Sequence, residues 1–139
     1  MKSSLVALLS LTAAAALFTG CPTAHEGAYL PVNTTTNDLE NSAKFVLLDA
    51  GAQRSITTSG IQEGMTADGR LTIAANLRNR ENRRIQVQVN CVFKDEQGFS
   101  VDDLPFQDVI LTENAQETVR FTALHPTAKK YTVRVREAR

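Results

Sequence analysis

The sequence predicts an all-β fold, an immunoglobulin-like β-sandwich of about seven short strands. Residues 71–77 and 85–93 alternate apolar and polar side chains with a period of two, which is typical of strands and hard to reconcile with a helix. Short apolar runs recur about every ten residues and are separated by Gly, Asp, Asn and Pro, as in sandwiches. The alternative architecture is a small β-barrel.

The N-terminal residues have the pattern of an export signal. A positive start at Lys2 is followed by an uncharged stretch from residue 5 to residue 17 and by Gly20 before Cys21. The uncharged stretch is shorter than the roughly twenty residues that span a bilayer. With its Cys directly after the small residue, the segment resembles a bacterial lipoprotein signal, which implies cleavage before Cys21 and lipidation of its thiol. The alternative is an ordinary secreted or uncleaved segment.

Composition divides the chain into three parts. Residues 1–20 form the predicted lipoprotein signal peptide, residues 21–43 the lipidated Cys and a flexible tether, and residues 44–139 the β-sandwich domain. Cleavage would leave 119 residues, a length that suits one domain with one core. The cleaved chain would carry a formal charge of −1, which argues against nucleic-acid binding.

The first part of the predicted domain contains two strands and a turn. An apolar run at residues 45–48 ends in Asp-Ala-Gly and predicts a strand followed by a turn. A weaker strand is predicted over residues 56–61. Residues 63–70 contain two glycines and an Asp-Gly pair, which predict a turn.

The two alternating segments dominate the middle of the chain. They flank a polar loop at residues 79–83, and the sequence predicts that they pair as a β-hairpin with one face in the core. The side chains predicted to face the core are Leu71, Ile73, Ala75, Leu77, Ile85, Val87, Val89, Cys91 and Phe93. If Cys21 is acylated, Cys91 has no disulfide partner, and we expect a buried, unreactive thiol.

The remaining strands follow at short intervals. A tight turn at residues 94–98 precedes them, and the predicted strands cover residues 99–101, 105–111, 118–123 and 131–136. The ordered motifs FVLLD, GRLTIAANLRN, IQVQVNCVFKDEQG and AKKYTVRVR resemble the YcfL-like family of small periplasmic lipoproteins of unknown function. This resemblance covers about residues 44–136. It implies an immunoglobulin-like body on an envelope lipid anchor and supplies no catalytic residue.

Four arginines, Arg78, Arg80, Arg83 and Arg84, cluster around the predicted hairpin tip with a single acid, Glu81, among them. Guanidinium groups bind phosphate and carboxylate, so this loop is a candidate contact for an anionic envelope component or a protein partner. The alternative is a solvated loop that keeps the strand edges soluble.

Phe99 and Phe106 are candidates for a docking patch, on the condition that both are exposed together; otherwise they belong to the core or its margin. No residue pattern indicates catalysis: a Gly-x-Ser-x-Gly elbow is absent and His125 precedes a Pro. His25 has no second ligand nearby, and the acidic residues lack the spacing of a calcium loop. The sequence therefore predicts no enzyme activity, no metal and no cofactor.

The predicted function is a non-enzymatic, lipid-anchored protein-interaction or scaffold domain on the periplasmic face of the bacterial envelope. Edge-strand addition would suit such a sandwich, and the expected partners are the membrane, through the lipid, and an envelope protein. By analogy with lipoprotein sorting, Pro22 in place of Asp after Cys21 favours the outer membrane over the inner. The alternative function is an envelope-ligand binder that grips an anionic glycan, lipid headgroup or peptidoglycan component through the arginines.

Overall fold

A computed structural model of the protein describes residues 39–138. Lipidation at Cys21, the signal peptide and the tether up to residue 38 lie outside the described residues. The described part contains eight strands and two short helices. They are α1 (Leu39–Ser42), β1 (Phe45–Leu47), α2 (Ala50–Ser55), β2 (Ile56–Met65), β3 (Leu71–Asn79), β4 (Ile85–Lys94), β5 (Ser100–Asp103), β6 (Gln107–Leu111), β7 (Gln116–Thr122) and β8 (Lys130–Glu137).

The strands form two sheets, and the prediction of a β-sandwich is confirmed. The first sheet has the order β1-β8-β4, with β5 and β6 both pairing with the outer side of β4. The second sheet has the order β2-β3-β7 and is antiparallel throughout. β1 runs parallel to β8 and pairs with no other strand among residues 39–138, so it is an edge strand of the first sheet.

The core lies between the inward faces of the two sheets. All nine side chains predicted to face the core from the alternating segments are buried and belong to one apolar cluster. Phe121 on β7 and Val133 and Val135 on β8 belong to the same cluster. The period of two therefore identified the core-facing side of β3 and of β4 correctly. On β4, however, the other side is not open to water throughout, since Asn90, Val92 and Lys94 are buried as well.

The predicted β3–β4 hairpin is wrong, because the two strands belong to different sheets. β3 pairs with β2 and β7, whereas β4 pairs with β5, β6 and β8. The polar loop between them crosses from one sheet to the other, as connections between sandwich sheets do. Two strands give the same alternating sequence pattern whether they face each other across a core or lie side by side in one sheet. The pattern therefore could not distinguish these two arrangements.

The antiparallel hairpin at this position joins β2 to β3 instead. Its turn is closed by the N–H of Thr66, which donates to the carbonyl of Arg70 (2.9 Å), and by the N–H of Gly69, which donates to the carbonyl of Thr66 (2.9 Å). Gly69 has φ +79°, a left-handed conformation that glycine adopts without a steric penalty. The turn predicted within residues 63–70 is present, but residues 63–65 belong to β2, which is longer than expected.

Two short helices lie beside β1. The predicted turn after residue 48 is the start of α2, where the Asp49 carboxylate accepts a hydrogen bond from the N–H of Ala52 (2.7 Å) and caps the helix. α1 lies within the stretch predicted as tether and contacts the first sheet, since the carbonyl of Glu40 accepts hydrogen bonds from Lys94 and Thr132. No helix of the described residues is both long and apolar enough to cross a membrane.

Candidate interaction surfaces

Among residues 39–138, β1 pairs with β8 alone, so its other edge is open, and an apolar groove lies beside it. The N–H of Leu48 donates to the carbonyl of Val135 (2.8 Å), and the N–H of Val133 donates to the carbonyl of Lys44 (2.9 Å). Alternate residues of a strand bond to the same neighbour, so the backbone groups of Phe45 and Leu47 face away from β8. This edge is therefore geometrically able to accept a further strand.

A groove of about 420 Å³ runs along this edge. Its lining comes mainly from α1, β1 and the residue that follows β1, and its large apolar side chains include those of Leu39, Phe45, Leu47 and Leu48. Leu39 is 57% exposed and Leu48 is 37% exposed. Exposed leucines beside an open strand edge are the kind of surface that a docking peptide covers.

The four arginines are all exposed, but they do not converge on one point. Arg78 lies on the outward face of β3, and Arg80 follows directly after that strand. Arg83 and Arg84 line a small pocket of about 200 Å³, which the carboxylate of Glu137 also lines. The loop that carries them joins two sheets and is not the tip of a hairpin.

Local pairing reduces the positive charge of this loop. The Glu81 carboxylate accepts hydrogen bonds from the Ser55 hydroxyl and from the Arg83 guanidinium. These two hydrogen bonds hold the pKa of Glu81 below its usual value, and the one from Ser55 has the larger effect. In return, the Glu81 hydrogen bond raises the pKa of Arg83.

Phe99 and Phe106 do not form a joint exposed patch. Phe99 lies in the turn between β4 and β5 and is 69% exposed. Phe106 is half-buried, with the Arg136 guanidinium carbon 3.8 Å and that of Arg134 5.6 Å from its ring centroid. Cations stacked on an aromatic face shield it from a partner, so the condition for the predicted patch is not met.

A buried carboxylate that the sequence analysis missed ties β5 to the connection between β7 and β8. Asp102 Oδ2 accepts hydrogen bonds from the N–H groups of Leu124 (2.8 Å) and His125 (3.1 Å), and Oδ1 lies 2.5 Å from His125 Nδ1. Burial alone would raise the pKa of Asp102, but the hydrogen bonds from His125 and the backbone outweigh it and hold the pKa below its usual value. These partners are 22 and 23 residues away, so no local motif signals the contact.

Cys91 is fully buried and free, as predicted. Burial raises the pKa of its thiol to about 12, so the reactive thiolate is scarce at neutral pH. Among residues 39–138, no group of three or more His, Cys, Asp or Glu side chains is arranged to hold a metal ion.

Two sheets of five and three strands around one core define a β-sandwich domain. The chain belongs to the family described as "Protein of unknown function (DUF1425)", whose model matches residues 43–137. The predicted YcfL-like resemblance is confirmed at this family level. No curated protein matches the sequence significantly.

Two solved structures share the fold. The crystal structure of Campylobacter jejuni cj0090 is similar with a TM-score of 0.58 and 15% identity, over 68% of this chain and 98% of that one. The crystal structure of a DUF1425 family member from Shewanella sp. pv-4 is similar with a TM-score of 0.55 and 21% identity, over 60% of this chain and 78% of that one. At these identities, the likeness concerns the fold alone.

Proposed function

We propose that this protein is a non-enzymatic, lipid-anchored domain of the bacterial envelope that binds another envelope protein by strand addition. The observation that carries the proposal is the open edge of β1, where the backbone groups of Phe45 and Leu47 face outward beside the apolar groove. In strand addition, main-chain hydrogen bonds supply affinity and side-chain pockets supply specificity. Lipidation of Cys21 would hold the domain at the periplasmic face, with the outer membrane favoured over the inner.

The proposal is tested by site-specific photo-crosslinking in intact cells, with the crosslinker placed at Leu48 in the groove. A matched probe at Gln107, which is exposed on β6, controls for random encounters. We expect a discrete crosslinked partner from Leu48 and none from Gln107. Leu47→Pro removes an N–H that faces the open edge and no bond to β8, so it should abolish the crosslink without unfolding the domain. Equal crosslinking from both probes, or an unchanged crosslink in the Pro variant, contradicts strand addition.

A second candidate function is the binding of an anionic envelope component, favoured by the position of Arg83 and Arg84 on one pocket. The double variant Arg83→Glu/Arg84→Glu separates the two functions. If the pocket binds an anion, affinity for lipopolysaccharide or peptidoglycan fragments should fall at least about tenfold, because two favourable charge contacts become repulsive. Unchanged binding, together with a retained Leu48 crosslink, supports strand addition alone.

A further inference from the structure

The three most exposed large apolar side chains of the described residues, Met65, Phe99 and Leu124, lie at the same end of the sandwich. Met65 is the last residue of β2 and pairs with Leu71, whose carbonyl accepts a hydrogen bond from the N–H of Ala123 (2.9 Å). Leu124 therefore follows directly beside the end of the second sheet. We call Met65, Phe99 and Leu124 the apolar tip.

Phe99 reaches the same end from the first sheet. The turn that carries it follows Lys94, the last residue of β4, and the N–H of Lys129 donates to the carbonyl of Lys94 (2.8 Å). Lys130 Nζ donates to the carbonyl of Glu96 in the same turn (2.8 Å). The β4–β5 turn and the β7–β8 connection are thus joined, which places Phe99 and Leu124 on neighbouring loops.

The apolar tip is exposed to water to an unusual degree. Met65 and Leu124 are each 62% exposed and Phe99 is 69% exposed, although 21 other apolar residues of the described part are buried. The surrounding charges are of both signs, since Lys130 bonds to the carbonyl of Glu96, and Arg70 pairs with Asp68. A partner of this surface gains mainly from apolar contact, and long-range charge attraction contributes little.

The first described residues lie at this end. Leu39 is the first described residue, and the carbonyl of its neighbour Glu40 accepts hydrogen bonds from Lys94 and Thr132. Seventeen residues separate Cys21 from Leu39, and a chain of that length spans at most roughly 60 Å. The opposite end of the sandwich lies roughly 30 Å from this end, which is the length of the ten-residue strand β4.

We infer that the apolar tip rests on the bilayer to which Cys21 is anchored, so that Met65, Phe99 and Leu124 enter its interfacial region. This inference rests on the proposed lipid anchor and adds the orientation of the domain. It leaves the arginine loop pointing away from the membrane. Because the contact is apolar, it forms on zwitterionic phosphatidylcholine vesicles and changes little with salt.

The test uses the full lipidated protein in phosphatidylcholine vesicles with a fluorescent label at Gln97→Cys, in the turn beside Phe99. A second labelled protein carries Asn82→Cys in the loop at the opposite end. Buried Cys91 does not take up the label. Nitroxide lipids with the quencher at the headgroup level should quench the label at residue 97 strongly and the label at residue 82 hardly at all.

Side-chain variants in the Gln97→Cys protein show whether the apolar tip causes the contact. Phe99→Ser/Leu124→Ser should lower the docking equilibrium constant at least about tenfold, because two apolar side chains no longer leave water. The matched control is Ile110→Ser, which removes a side chain that is 49% exposed on β6, away from this end. Quenching should be unchanged in the control.

Equal quenching at residues 97 and 82, or unchanged quenching in the Phe99→Ser/Leu124→Ser variant, overturns the orientation while the protein still sediments with the vesicles. Failure of the protein with intact Cys21 to sediment with the vesicles overturns the lipid anchor and the orientation together. Sedimentation thus reports on the proposed anchor, and label depth reports on the further inference.

Discussion

Two buried polar side chains, Asn79 and Asp102, hold loops from different parts of the chain at fixed positions. Asn79 Nδ2 donates to the carbonyls of Arg83 (2.7 Å) and Thr112 (2.8 Å), and its Oδ1 accepts from the N–H of Glu81 (2.9 Å). It therefore secures the crossing from β3 to β4 as well as the connection between β6 and β7. Inside a protein, such groups are stabilising only while every partner is in place.

Replacement of Asn79 by Ala should destabilise the fold by about 2 to 4 kcal/mol, because backbone groups of both loops lose their partner in a buried setting. Asn79→Asp should cost at least as much, since a carboxylate would face two carbonyl oxygens. Urea unfolding measures both values. Asn76→Ala on the outward face of the same strand is the matched control and should cost less than about 1 kcal/mol. Equal losses for Asn76 and Asn79 would show that the buried contacts are not decisive.

The Asp102 carboxylate gives part of the stability a pH dependence. Its folded-state pKa lies below the ordinary value of 3.8, so its contribution is present above pH 3.8 and is lost as the pH falls through the lowered pKa. At neutral pH, Asp102→Asn should cost about 2 kcal/mol, because the variant loses hydrogen bonds to a charged acceptor. Unfolding curves at neutral pH and in acid should show this difference shrink in acid. Asp108→Asn, at an exposed position, should show little difference at either pH; a constant Asp102 effect would contradict the assignment.

At the scale of the elements, the faces of the strands could be predicted from the sequence and their neighbours could not. A period of two reports whether a side chain points toward the core, and β3 and β4 both follow it. It carries no information about which strand lies alongside, so the polar loop at 79–83 fitted a hairpin as well as a crossing between sheets. β2 continues through Gly60 and Gly64 because pairing with β3 outweighs the weak strand propensity of glycine.

Some of the candidate interaction surfaces could be predicted from the sequence and others could not, depending on whether their residues are close together in the chain. The arginine cluster was visible because its members are close in sequence, and Phe99 was visible as an aromatic residue in a turn. The contact between Asp102 and His125 was not, since it joins segments that only the folded chain brings together. The apolar groove is lined by residues close in sequence, but its position beside a strand edge could not be predicted. Edge position is a property of the sheet order, which no single segment encodes.

Because β4 is central in the first sheet, we expect truncation of its inward side chains to destabilise the domain. Val89 is fully buried in the middle of this strand, so Val89→Ala should destabilise the domain by about 2 kcal/mol through lost burial and the cavity that remains. Gln86→Ala, on the exposed face of the same strand, is the control and should change stability by less than about 0.5 kcal/mol. Thermal or urea unfolding distinguishes the two. A comparable effect from both variants would contradict the assignment of the inward face.

At the scale of the whole molecule, Cys91 reports on opening of the entire core. Its thiol is fully buried and its pKa is raised to about 12, so a thiol reagent can reach it only when the sandwich opens. In a chain carrying Cys21→Ser, labelling of Cys91 should be slow in buffer and should rise with urea along the same transition as circular dichroism. Rapid labelling before that transition would indicate a local route to the core.

The place of β8 in the first sheet has a consequence for how the protein is made. β8 is the last of the described strands, yet it lies between β1 and β4 and pairs with both. During synthesis, β1 and β4 stay unconnected until residue 137 has left the ribosome, because contacts so distant in sequence can only form late. Under the proposed export, this delay would keep the first sheet from closing before the chain meets a translocation channel, which accepts only unfolded chains.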